Sequence, residues 1–204
     1  FYSGLVIKNI NVNSSPKEIQ DKLKSIGLKP INSIVDITNY VMHEIGQPLH
    51  AFDLDKIENI TVKSLKSGSK FKTLDESEIK LNNEDLMICS NSEPLCLAGI
   101  YGGINSGVSK STNSLFLESA IFDSVTIRKS SKRHQLFTDA SYRYERGVDP
   151  DKVIYALKRA ALLIKEINPE CHISKIFIED NLKKEVKDIY LRYNRIEKIS
   201  GQCI

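Results

Sequence analysis

Two side chains stand where packing alone does not explain them. His50 follows Pro48 in the run Gln47-Pro48-Leu49-His50-Ala51-Phe52, and Glu118 interrupts the apolar run Leu115-Phe116-Leu117. Proline has no amide hydrogen and restricts the residue before it, so the segment carrying His50 is held extended. A neutral imidazole fixed in this way can orient a water molecule or bind a substrate hydroxyl. A carboxylate within an apolar strand costs stability unless it is paired or opens on a cavity. Strand alternation puts Glu118 on the face of Phe116 and Ala120, opposite Leu115 and Leu117. Solvent exposure, or an ion pair with Arg143, would account for Glu118 equally well. A surface or hydrogen-bonded loop position would account for His50.

The small residues allow two readings. Gly99, Gly102 and Gly103 flank Ile100-Tyr101 at the end of an apolar run, where glycines commonly serve turns. They also leave a wall without side chains, against which an aromatic ring can lie. Ala98 and Ala140 are small in the same sense. Thr38 and Asn39 put polar atoms on a helical stretch. Several enzyme classes are excluded by motif. Neither GxGxxG nor GxxxxGK is present, so no phosphate fingerprint is seen. Ser33, Ser119 and Ser141 lack a GxSxG setting, and no serine–histidine–acid set stands out. His43-Glu44 begins a zinc-protease signature, but Gln47 stands where its second histidine belongs. The four cysteines, Cys89, Cys96, Cys171 and Cys203, form no CxxC pair. Neither a metal site nor a disulfide framework is expected, and reduced, buried thiols are.

The elements that must carry these groups follow from periodicity. Ile34, Ile37, Val41 and Ile45 make one stripe of a helix over Ser33 to about Ile45, ended by Gly46. Before it, Leu5 to Ile10 reads as a strand. Ser15-Pro16-Lys17-Glu18 reads as the capped start of a helix with Ile19, Leu23 and Ile26 inward and Gly27 at its end. Ile60 to Leu65 alternates as a strand. Lys70 to Leu74 and Glu78 to Leu81 form a hairpin around Asp75-Glu76-Ser77. Leu86 to Cys89 and Leu95 to Ile100 are apolar strands joined by a turn over Asn91-Ser92-Glu93-Pro94, the second running into Gly102-Gly103. Ser114 to Phe122 is the strand of Glu118. Asp123 or Ser124 caps a basic helix ending near His134. The charge-dense run Arg143 to Pro150 reads as an ion-pair cluster before a long helix that reaches about Ile167. Ile173 to Ile178 is a last strand. A polar linker at Lys183-Lys184 then leads to a strand over Ile189–Tyr193 and a helix from Asn194. The irregular interleaving favours an α+β fold over a doubly wound sheet.

The 204 residues suffice for one or two domains with a substantial core. Hydrophobic residues make up 41% and charged residues 27%, as in ordinary globular proteins. The net charge of +3, from 29 basic and 26 acidic residues, is too even for a protein that depends on binding a phosphate backbone. A small basic patch at Arg128-Lys129 and Lys132-Arg133 remains. With no signal segment and no long apolar run visible, a soluble, cytoplasmic protein without membrane contact is expected. The start at Phe1 and the unfinished pattern at Cys203-Ile204 suggest a piece of a longer protein.

Four segments in order, IVDITNYVMHEIGQPLHAFD at 34–53, YGG at 101–103, LFLES at 115–119 and HQLFTDASYRYERGVDP at 134–150, resemble the B3/B4 editing region of the bacterial phenylalanyl-tRNA synthetase β subunit. The resemblance runs from about Tyr2 to about Asp180, and several long segments in register are far more specific than one short pattern. It implies a largely antiparallel, barrel-like sheet with flanking helices. It divides the chain into an editing domain over 1–182 and a linker with the truncated start of a following B5-like module over 183–204. Family members usually carry glycine near Glu76.

The implied function is proofreading, the hydrolysis of the ester of tyrosyl-tRNA(Phe) by positioned water. The resemblance assigns Glu118 to the tyrosyl hydroxyl and His50 to the ester or its water as the catalytic pair. Thr38, Asn39, Pro48, Ala98, Gly99, Gly102, Thr138 and Ala140 would form the substrate pocket. Implied partners are the acceptor end of tRNA(Phe) carrying tyrosine, the α subunit and the remaining β-subunit modules. No cofactor is expected in this region, and the ATP and Mg of the parent ligase would bind elsewhere. Two other readings are a non-catalytic module for tRNA docking or structure, which would need a broad basic face, and a hydrolase of a different aminoacyl or nucleotide ester.

Overall fold

The computed structural model describes residues 1–182 and 188–202. In chain order, β1 (Tyr2–Lys8) leads to α1 (Lys17–Ser25), α2 (Ser33–Ile45) and β2 (Leu49–Asp53), and a 3₁₀ turn follows at Leu54–Lys56. Six short strands come next: β3 (Thr61–Ser64), β4 (Lys70–Lys72), β5 (Glu78–Lys80), β6 (Leu86–Ser90), β7 (Glu93–Leu97) and β8 (Tyr101–Gly102). Then come β9 (Ser114–Ala120), α3 (Ser124–His134), α4 (Asp139–Tyr144) and α5 (Lys152–Ile167). The last described elements are β10 (His172–Ile173), β11 (Phe177–Glu179) and α6 (Tyr193–Ser200).

Every strand pairing among the described residues is antiparallel. One sheet runs β10-β1-β9-β2, with β11 also on β1, another runs β3-β6-β7-β8, and β4-β5 form a separate hairpin. The fold is α+β, but no closed, barrel-like sheet forms among the described residues. The second sheet ends on a two-residue strand, β8, and β2 gives way to the 3₁₀ turn. Both strand paths therefore stay open.

The central strand β9 divides two cores. Leu115 and Leu117 join α1, α2, α5 and the inner residues of β1 in one core, while Phe116 and Ala120 join Phe52 and the residues of β6 and β7 in the other. Both faces of β9 are thus covered, and Glu118 itself is buried. The helix before β2 is fixed locally. Asn32 accepts hydrogen bonds from the amides of Ile34 and Val35, and Gly46 ends α2 in the left-handed region at φ +89°. The chain can then reverse into β2 within three residues, which sets the place of His50.

Several local expectations are corrected. Ser15 does not cap α1. It is buried and donates instead to the Asp36 carboxylate, which also accepts from the Ile31 amide, so it pins the two helices' connections together. The run Leu95 to Gly103 is two strands, turned by Gly99 at φ +66°, since an apolar run alone does not show a turn. Pro94 lies within β7, where a register shift between Ile88 and Cys89 accommodates a residue without an amide donor. The last strand is two pieces, β10 and β11, both on β1. Glu76 takes the turn of the β4-β5 hairpin at φ +67°, a backbone state that favours glycine. The linker at Lys183-Lys184 lies outside the described residues. Residues 188–192 form no strand, α6 starts at Tyr193, and that helix buries none of its residues. No helix among the described residues is long and apolar enough to cross a membrane.

Candidate functional site

His50 and Glu118 are direct cross-strand partners on β2 and β9. Directly paired residues send their side chains to the same face of a sheet. On the other side of β9, Glu118 pairs with Gly4 of β1. Gln47, fully buried before β2, donates from Nε2 to the Ala120 carbonyl at 2.9 Å and the Pro48 carbonyl at 3.1 Å. It therefore ties the turn that carries His50 to the end of the strand that carries Glu118.

Both residues line an inner cavity of about 70 Å³, together with Pro48, Leu49, Ile88, Cys96, Gly99, Ile100, Tyr101, Gly102, Ala140 and Tyr144. A water molecule needs roughly 10–15 Å³ by this measure, so the chamber holds more than one. Beside it lies a cleft of about 460 Å³ between α2, β2, β8 and the start of α4. Leu49, His50, Ile100, Tyr101, Gly102 and Ala140 line both, so they form the shared wall. Thr38, Asn39 and Thr138 line the cleft alone.

Glu118 is only 3% exposed. Its Oε2 accepts a hydrogen bond from the Tyr2 hydroxyl at 2.9 Å. No cation lines the cavity. Arg143, the ion-pair partner considered above, instead contacts Asp139 and His43. Exposure and ion pairing are thus both excluded for Glu118. Burial pushes its carboxyl up to about 8, against which the Tyr2 hydrogen bond acts. The nearby Cys96 thiol and Tyr144 phenol are pushed up by burial first and by the Glu118 charge second.

His50 sits on a strand, not in a loop. Its Nε2 is shielded from solvent and has no hydrogen-bond partner within the described residues. Its ring meets Phe52 edge-on at 4.4 Å. Burial pulls its pKa down to about 4, so the imidazole is neutral at physiological pH. A side-chain carbon at Gly102 would stand 3.3 Å from His50 Cε1 and 3.9 Å from Nε2. The missing side chain of Gly102 therefore keeps the imidazole edge open to the shared wall. Gly99 is required for a different reason, because a Cβ there would lie 2.8 Å from the Tyr144 ring.

The expected pocket residues are gathered with one exception. Pro48, Gly99, Gly102 and Ala140 line the inner cavity, but Ala98 lines neither space. It is fully buried behind the Gly99 turn, its amide bonded to the Leu86 carbonyl. Thr138 caps α4: its hydroxyl accepts from the Ser141 amide and donates to the Ile100 carbonyl. It thereby fixes Ala140 against β8. The Thr38 hydroxyl is bonded to its own helix at Val35. Ser119 and Ser141 hydroxyls donate to backbone carbonyls, not to a histidine. Tyr2, Cys96, Tyr101 and Tyr144 carry no site signal of their own in the sequence. Tyr144 was hidden in a charge-dense run, and Tyr2 meets Glu118 only through the β1-β9 pairing. Among the described residues no group of three His, Cys, Asp or Glu side chains could hold a metal ion.

The arrangement is a small hydrogen-bonding site with small walls, two polar groups on one face, and a wider cleft beside it. The family model described as "B3/4 domain" matches residues 1–169. The phenylalanine–tRNA ligase beta subunit of Bacteroides thetaiotaomicron is 43% identical over all of this chain and 25% of its own length. That of Porphyromonas gingivalis is 53% identical over 81% of this chain and 21% of its own length. The chain thus spans about a quarter of the length of the curated relatives it matches. A crystal structure of an N-terminal fragment of the Pyrococcus horikoshii phenylalanyl-tRNA synthetase beta subunit covers 100% of this chain and 56% of its own, with a TM-score of 0.57 at 14% identity, a likeness of fold. The chain belongs to the B3/4 domain family, of the kind found in phenylalanine–tRNA ligase beta subunits.

Proposed function

We propose that this domain proofreads for its synthetase by hydrolysing the ester of tyrosyl-tRNA(Phe). Water adds to the ester carbonyl, the ribose hydroxyl leaves, and tyrosine is released. The observation that carries this reading is the buried Glu118 carboxyl, which lines a small cavity without a cationic partner, opposite His50. A synthetic pocket shaped for phenylalanine cannot strongly exclude an analogue that only adds a hydroxyl, so a second site must sense that hydroxyl. Glu118 accepts the tyrosyl hydroxyl in this reading. A phenylalanyl ring would leave the carboxyl without that partner, which protects the correct product.

His50 presents an unpaired, neutral ring nitrogen at the wall shared by cavity and cleft. It holds the ester or the attacking water, while Thr38, Asn39 and Thr138 line the cleft that receives the terminal nucleotide. The ester is already activated, so placement and polar stabilisation suffice without a protein nucleophile. Residues 1–182 make up the editing unit, and 183–204 hold a linker and the start of a following B5-like module. Its partners are the acceptor end of tRNA(Phe), the α subunit and the rest of the β subunit, in the cytoplasm. The ATP and Mg of the parent ligase belong to a distant site.

The test is tyrosine release from tyrosyl-tRNA(Phe) by the complete synthetase. His50→Ala should slow release about ten- to hundredfold while leaving phenylalanine charging intact. If the wild-type enzyme releases tyrosine no faster than buffer, the domain is a docking or structural module.

A further inference from the structure

Glu118 has two carboxylate oxygens, and the fold uses one. Tyr2 donates to Oε2 at 2.9 Å, and no hydrogen bond reaches Oε1 within the described residues. Tyr2 does not line the inner cavity. It lines a separate groove with Phe1, Ile60 and Phe122. The carboxyl therefore stands between a phenol behind it and the cavity in front.

The β1-β9 register makes this contact possible. Glu118 pairs with Gly4 and Ala120 pairs with Tyr2, so Tyr2 is the diagonal neighbour of Glu118 on the same face. Diagonal neighbours are roughly 7–8 Å apart, within reach of a tyrosine side chain. Gly4 offers nothing in its place, because a Cβ there would meet the Phe116 ring at 2.1 Å. On this face of β1, Tyr2 is thus the residue that holds Glu118.

We propose that Tyr2 is a positioning residue for substrate discrimination, which fixes Glu118 through Oε2 so that Oε1 is presented to a phenolic hydroxyl in the cavity. This rests on the reading of Glu118 given above. The groups facing the carboxyl are Tyr2 from β1, His50 from β2, Cys96 from β7 and Tyr144 from α4, and none is cationic at neutral pH. The Tyr2 bond favours the ionised carboxyl against burial. Tyr2 thus sets both the direction of the acceptor and the pH at which it becomes a carboxylate.

The test uses the complete synthetase and the ratio of tyrosyl to phenylalanyl ester hydrolysis, in which the common response to hydroxide cancels. Tyr2→Phe keeps the ring and removes the donor. It should lower the ratio about tenfold at pH 7.5 and move the pH at which tyrosyl preference sets in upward by about one to two units, the equivalent of one hydrogen bond to a charged acceptor. Phenylalanine charging should not change. In a Glu118→Gln background, Tyr2→Phe should have no further effect on the ratio, and this double variant leaves no unpaired carboxyl to disturb folding. If Tyr2→Phe keeps the wild-type ratio and pH midpoint while Glu118→Ala loses the preference, the role of Tyr2 is overturned alone. If Glu118→Ala keeps the preference, the editing role of Glu118 and that of Tyr2 are overturned together.

Discussion

His50 and Glu118 face each other across two antiparallel strands, yet they do not form an ion pair. Burial drives them in opposite directions, the imidazole down to about 4 and the carboxyl up to about 8. Around neutral pH both are therefore mainly uncharged in the empty site. In the proposed reading the ionised carboxylate is the binding form, because a tyrosyl hydroxyl would add a second donor to that of Tyr2.

It follows that the rate of tyrosyl ester hydrolysis should show no inflection at the usual histidine value near 6.5. A pH–rate profile of the complete enzyme from 5 to 8 tests this. A step near 6.5 that disappears in His50→Ala would show that the imidazole is solvated and titrates normally.

Gly102 should be intolerant for a local reason. Its missing Cβ leaves 3.3 Å to His50 Cε1, closer than most carbon atoms approach. Gly102→Ala should push the imidazole aside and reduce tyrosine release about tenfold, and Gly102→Trp should abolish release by filling the shared wall. The melting temperature should fall by no more than a few degrees, because Gly102 is only half-buried on the edge strand β8. Normal release with a normal melt would show that this wall is not part of the site.

Glu118 should cost the fold stability in alkaline solution. Its folded pKa, about 8, lies above the ordinary 4.5, so its favourable contribution is complete below 4.5 and is lost as pH rises through 8. Glu118→Gln removes that dependence. Between pH 5 and pH 9 the wild type should lose roughly 5–10 °C in melting temperature relative to Glu118→Gln. Parallel curves for the two proteins would mean that the carboxyl is not desolvated.

Asp85 offers a structural control. Its fully buried carboxyl accepts from Ser130, Arg133, His134 and the Asn82 amide, which docks α3 against the start of β6. Burial would raise its pKa, but the hydrogen bonds from Asn82, His134 and Ser130 outweigh it and hold the carboxyl below the usual range. Asp85→Ala strands these donors and should destabilise the domain by about 3–5 kcal/mol. The ratio of tyrosyl to phenylalanyl hydrolysis in the folded fraction should stay unchanged, as measured by urea unfolding and deacylation assays.

The parts of this fold that were legible in the sequence are those set by neighbouring residues. The bounds of α2, its stop at Gly46 and the Asp123 cap of α3 all follow from local chemistry. Strand alternation correctly put Glu118 with Phe116 and Ala120, but it could not show that both faces of β9 are covered. That depends on Tyr2, 116 positions away, and on the helices packed behind the sheet. α4 was missed because it has six residues within a charged run, and its capping box uses Ser141 where glutamate or glutamine is the familiar signal. The pocket was legible through a resemblance of whole segments. Ala98 shows the limit of that route, since a small residue beside Gly99 faces the core and not the cavity.

The central claim is that Glu118 senses the hydroxyl that distinguishes tyrosine from phenylalanine. The most direct measurement is hydrolysis of tyrosyl-tRNA(Phe) and phenylalanyl-tRNA(Phe) by the complete synthetase carrying Glu118→Ala. A hydrogen bond to a charged acceptor is worth about 1.5–3 kcal/mol, so the preference for the tyrosyl ester should fall by about 10- to 150-fold while phenylalanyl hydrolysis changes little. Equal slowing of both esters would contradict the account and place Glu118 with the groups that act on the ester itself.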